Sequence, residues 1–138
     1  MSAGDEASGL LAQARPRVRV VLAGGARLGP GKIDLLDAIS RTGSISAAGR
    51  ELGMSYRRSW LLIDAVNHMF TQPVVTASVG GAQGGGAEVT EFGKALVAAY
   101  RRIEARTHAA ILEELAPFDM ALAAPGAEGE QNMPAGED

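Results

Sequence analysis

Ser55-Tyr-Arg-Arg-Ser59 sets two hydroxyls, a phenol and two guanidiniums side by side, directly before an apolar run that begins at Trp60. A guanidinium is planar, permanently charged and carries its N–H donors in a fixed fork. It therefore matches a phosphate, or the O6/N7 edge of guanine, bidentately. In the first turn of a helix, Arg57 and Arg58 would stand against the positive end of the helix dipole, a local cost that favours a functional reason for them. Surface solvation is the plainer alternative, but two arginines in one turn favour contact. Tyr56 has two readings of equal standing: contact with a base or phosphate, or a ring that staples its helix to the core. Ser44 and Ser46 add two further hydroxyls upstream, in Gly43-Ser-Ile-Ser46.

The stretch that must position these groups runs from Gly43 to Phe70 and reads as two helices joined by a tight turn. Ser44 or Ser46 caps the first by accepting from its unpaired backbone N–H groups. Ala47, Ala48 and Gly49 let a second helix approach closely, and Leu52 packs inward. Gly53 supplies the positive φ that ends a helix most easily. Ser55 caps the second helix, which starts cationic and turns apolar, with Trp60 expected in the core. A helix with an exposed, cationic first turn and a buried remainder suits insertion into a groove, as in helix-turn-helix DNA recognition. An ordinary helical hairpin is the alternative, and the flanking chain decides. Arg41 and Arg50 read as contacts to the DNA backbone or as solvated charges.

Upstream, Arg17 to Leu22 alternates and then becomes apolar, as a half-buried strand does. Glycines from Gly24 to Gly31 mark a loop, and Lys32 to Arg41 places Ile33, Leu36 and Ile39 on one helical face with Gly43 as its stop. Downstream, Val74 to Val79 and Ala87 to Thr90 are β-branched segments around a glycine-rich turn, a hairpin. Thr90 caps a helix from Glu91 to Leu115 whose stripe is Leu96, Tyr100, Ile103, Ala110 and Ile111. Pro117 ends it. The predicted fold is mainly α with a small β-hairpin: a winged helix-turn-helix with a long C-terminal helix. Residues 1–16 are expected to be a flexible lead-in, 17–116 the DNA-binding domain with a dimerisation helix, and 117–138 a disordered acidic tail. Gln83, at the tip of the wing, joins Ser44, Ser46, Ser55, Tyr56, Arg57 and Arg58 as a candidate DNA contact.

The net charge of −3 opposes nucleic acid until it is counted by segment. Between Arg15 and Ala116 lie all 13 basic residues and nine of the 16 acidic ones, an excess of +4 that permits such binding without demanding it. The chain has 138 residues and no cysteine, which excludes disulfides and suits a reducing compartment. An acidic N-terminus and the lack of any long apolar run predict a cytoplasmic protein with no membrane partner. Gly81 and Gly86 have the spacing of a phosphate-binding loop, yet Ala87-Glu88 stands where lysine and a hydroxyl residue are required. His68 and His108 are isolated, and nothing groups serine, histidine and aspartate into a nucleophilic site. The sequence offers no catalytic, metal or cofactor site, and no enzyme activity is expected.

Taken together, Gly43-Ser-Ile-Ser46, Gly53-Met-Ser-Tyr-Arg57 with Trp60, and the glycine-rich wing running into Ala87-Glu-Val-Thr90 and Phe92-Gly93 resemble the N-terminal winged-helix domain of ModE-type molybdate-responsive regulators. The similarity spans roughly Val18 to Ile103, and the helix-turn-helix part alone is shared with LysR-type regulators. The resemblance implies a homodimer on double-stranded, palindromic operator DNA and a link to molybdenum homeostasis. Full-length members add C-terminal oxyanion-binding domains, whereas the residues after Leu115 lack the strand-forming sequence such domains need. No direct molybdate binding is therefore expected. Ala82-Gln83 replaces the basic residue common at the wing tip and predicts a weaker phosphate contact there. A winged-helix protein-interaction module that no longer binds DNA is the competing reading.

Overall fold

The computed structural model describes residues 9–78 and 86–126, which divide into two compact units, one of residues 19–101 and one of 9–18 with 102–126. Within the first unit the chain opens with β1 (Val20–Val21) paired antiparallel to β2 (Arg27–Leu28), Val20 facing Leu28. A single strand and a plain loop are expected there. The chain instead turns back, because Gly24 and Gly25 take φ of +79° and +87°, a region side chains disfavour. The described residues thus contain two small hairpins rather than one.

Helix α1 (Pro30–Thr42) begins before the expected Lys32, since proline's fixed φ and missing N–H suit the first helical position. Its Ile33, Leu35, Leu36, Ala38 and Ile39 are buried, and it ends at Gly43, where φ is +72° and the N–H reaches Ile39 O at 2.8 Å. Helices α2 (Ile45–Glu51) and α3 (Tyr56–Met69) follow, then β3 (Val75–Ser78) and β4 (Gly86–Val89), paired antiparallel with Val75 opposite Val89 and Ala77 opposite Ala87. Three helices and a following hairpin are the winged-helix arrangement. Helix α4 (Glu91–Leu115) starts as expected at Thr90, whose hydroxyl accepts the Gly93 N–H at 3.0 Å and donates to Pro73 O at 2.8 Å. Arg101 bonds both Asp34 (3.1 Å) and Asp37, pinning α4 to α1.

Of the predicted stripe on α4 only Tyr100 is fully buried. Ile103 remains 40% exposed, so the periodicity overstates how much of this helix a core covers. In the second unit Leu11 is buried and donates its N–H to the Asp119 carboxylate at 3.1 Å. Residues Ala116–Ala121 form a 3-10 helix there, over the start of the disordered tail expected from residue 117. No helix among the described residues is long and apolar enough to cross a membrane. The flexibility expected of residues 1–8 and 127–138 concerns positions outside the described residues.

One residue that patterning does not single out, Asn67, joins α3 to the second hairpin. Its Oδ1 accepts the N–H groups of Val74 (2.8 Å) and Val75 (3.0 Å), and its Nδ2 donates to Val75 O at 3.0 Å. Asn67→Ala removes all three bonds and leaves part-buried backbone groups without a partner, so it is expected to destabilise the fold by about 2 kcal/mol. Chemical denaturation of the variant checks this; an unchanged midpoint contradicts it.

Candidate nucleic-acid interface

The two caps that orient the helix pair form as local chemistry dictates. Ser44 Oγ accepts the Ala47 N–H at 3.0 Å, which settles the choice of cap for α2, and Ser46 Oγ instead accepts from Arg50 Nη1 at 3.0 Å. Ser55 Oγ accepts the Arg58 N–H at 3.0 Å and caps α3. Between the caps, Gly53 has φ of +72° and Met54 N–H returns to Gly49 O at 2.9 Å. Gly49 lies against fully buried Ser59, whose Oγ donates to Ser55 O at 3.0 Å; an added Cβ would overlap that oxygen. Leu52 is half-buried, as inward packing predicts.

Several of the basic residues have side-chain partners. Arg41 is engaged by Glu51 (2.6 Å), Arg50 by Ser46, Lys94 by Glu91 (3.4 Å) and Arg101 by two aspartates. Arg57 and Arg58 are exposed, and among the described residues neither side chain makes a hydrogen bond or ion pair. The first turn of α3 contains no acidic residue to neutralise them. Two uncompensated cations at the positive end of a helix dipole form a ready site for an anion.

Trp60 departs from its expected place in the core: it is 46% exposed. The inward positions of α3 are Ser59, Ile63 and Val66, and Trp60 falls on the neighbouring flank, which faces the second hairpin. There it meets Tyr56, one turn earlier, edge-to-face with ring centroids 6.2 Å apart. Tyr56, 59% exposed, therefore packs on Trp60 rather than stapling its helix to the core. The two rings form one wall of a slot of about 340 Å³ between α3, the start of α2 and the β3–β4 hairpin. The hairpin is fixed beside α2 by the Ala87 N–H, which bonds Gly43 O at 3.0 Å.

Ser44, Ser46, Tyr56 and Thr76 thus share one slot, with Arg57 and Arg58 in the same first turn of α3 as Tyr56. Gln83 and the wing tip at Ala82-Gln83 lie outside the described residues. Thr76 and Trp60 escape sequence reasoning as members of this surface. The step from buried Val75 to exposed Thr76 in β3 is the signal that finds Thr76, although Ala77 after it is exposed as well.

No family model matches the chain. The molybdenum-pterin-binding protein MopB of Rhodobacter capsulatus is 54% identical over 81 residues, 59% of this chain and 30% of that protein. The molybdenum transport protein ModE of Azotobacter vinelandii is 39% identical over 87 residues, 63% of this chain and 32% of the relative. The DNA-binding transcriptional dual regulator ModE of Escherichia coli (strain K12) is 37% identical over 71 residues, 51% of this chain and 27% of the relative. The chain spans about a third of the length of these curated relatives. The resemblance to a ModE-type winged-helix domain is borne out by this similarity and by the winged-helix arrangement itself.

Proposed function

We propose that this chain is a sequence-specific, DNA-binding transcription regulator linked to molybdenum metabolism, with the first turn of α3 set into the major groove and the second hairpin beside it. The observation that supports the reading is the pair of exposed arginines, without side-chain partners among the described residues, at a capped helix N-terminus on the helix that borders the β3–β4 hairpin. The names of the ModE relatives supply the link to molybdenum and to transcription. Arg57 and Arg58 are the proposed base or phosphate readers, and Ser44, Ser46, Ser55, Tyr56 and Gln83 the accessory contacts. A mobility-shift assay on genomic fragments tests the reading: a discrete shift that survives excess unrelated DNA supports it, and its absence at low salt refutes it.

The working unit proposed is a homodimer on a palindromic site. Val21 is 64% exposed in the first unit and Ile103 40% exposed in the second, each an apolar position that a second copy would cover. Two α3 helices about a two-fold axis would then meet successive major grooves about 34–36 Å apart. Molybdate is proposed not to bind these 138 residues, since the segment after Ala116 carries five acidic side chains that repel a dianion. Calorimetric titration of molybdate is expected to show no saturable heat, with operator affinity unchanged in its presence. Micromolar binding with a several-fold change in affinity would contradict this.

A further inference from the structure

We infer that the slot between α3 and the β3–β4 hairpin seats one deoxyribose–phosphate unit of the bound strand, with Trp60 covering the sugar; this rests on the DNA-binding reading above. If α3 lies in the major groove and the hairpin beside it, the strand bordering that groove passes between them, over the slot. The lining suits that occupant in two respects. Ser44, Ser46 and Tyr56 bring hydroxyls to its rim, Ser46 Oγ lies 3.0 Å from the Arg50 guanidinium, and no carboxylate is among the described residues that line it. Thr76 belongs to it through its backbone, because alternation turns its side chain away from Val75 and Ala77, to the face of its cross-strand partner Glu88. Hydroxyl hydrogens can donate to phosphate oxygens even where the oxygen already accepts, as at Ser44 and Ser46.

The remainder of the lining is apolar, formed by Ile45, Val75, Ala77 and Ala87 with the Trp60 ring. Deoxyribose presents C–H groups that such a surface can cover. A ribose 2′-hydroxyl placed against it would lose water without gaining a partner. The slot accordingly selects DNA over RNA at one nucleotide in each half-site. Because its rim donors are mostly neutral, it adds affinity while releasing few counterions.

Trp60 is the chain's single tryptophan, so the fluorescence of the unmodified protein reports on the slot directly. Acrylamide quenching is measured with the free protein and with protein saturated by a duplex selected for binding in a mobility shift. Saturation is expected to lower the quenching constant several-fold. A duplex that shifts the protein yet leaves Trp60 equally accessible overturns the slot and leaves the DNA-binding reading standing; failure of every duplex to bind overturns both. Shielding that develops without DNA as protein concentration rises assigns the slot to a second copy and overturns the inference. Walking a single ribonucleotide through the selected duplex is expected to weaken binding at one position per half-site. A flat profile contradicts selection of the sugar.

Discussion

Replacing Arg57 and Arg58 together by alanine is expected to remove the proposed specific DNA binding and to leave the thermal unfolding midpoint in place or slightly raised. Each base-reading arginine is worth about 1–3 kcal/mol, so the pair carries about 2–6 kcal/mol if the two act independently. That is about half of the roughly 4–10 kcal/mol separating specific from non-specific binding for a typical regulator. The fold should not suffer, because both side chains are exposed and neither has a partner among the described residues. Removing two cations from the positive end of α3 relieves an unfavourable interaction of a few tenths of a kcal/mol. The single variants separate the roles. A base reader relaxes preference at one position, whereas a phosphate contact weakens all sequences alike and lowers the salt dependence. A double variant that binds selected DNA as tightly as the parent would remove α3 from the interface.

The largest structural effect is expected at Gly93, in the first turns of α4. An alanine Cβ there would lie 2.5 Å from the carbonyl oxygen of Val74 and 2.7 Å from Val89 Cγ1. Helix propensity alone favours the substitution by about 1 kcal/mol. Overpacking opposes it, and the nearest atom is backbone that cannot rotate away; the same carbonyl also accepts the Thr90 N–H at 2.9 Å. Relief requires α4 to separate from the hairpin, so Gly93→Ala is expected to destabilise the fold by about 1–3 kcal/mol net. Its melting temperature should fall by about 4–8 °C per kcal/mol for a domain of this size. A variant that melts higher than the parent would mean that the hairpin yields without cost.

The elements most legible in the sequence are those governed by local chemistry. Ser55 and Thr90 cap the helices they precede, and Gly43 and Gly53 take the positive φ their positions suggest. Gly49 admits the close approach of α3 through Ser59, which the run of small residues foreshadows. Arg57 and Arg58 are exposed where a capped cationic turn places them. The sequence is less informative wherever the outcome depends on what lies across from a residue. Trp60 follows an apolar run and reads as core, yet one helical step carries it from the buried face to the flank beside the hairpin. Asn67 is an unremarked polar residue late in a helix until β3 supplies the backbone groups it binds. The β1–β2 hairpin is too short for periodicity to register, and Ile103 follows a 3.6-residue pattern without core to bury it.

The most direct measurement is selection from a pool of random duplexes with purified protein, followed by sequencing of the bound fraction. The expected result is one enriched motif of two inverted half-sites about 10–10.5 base pairs apart, centre to centre. The same selection with the Arg57→Ala, Arg58→Ala double variant should return no enrichment. An unenriched pool from the parent protein, with the protein folded and the salt low, would contradict DNA recognition by this surface and favour a winged helix that binds protein instead.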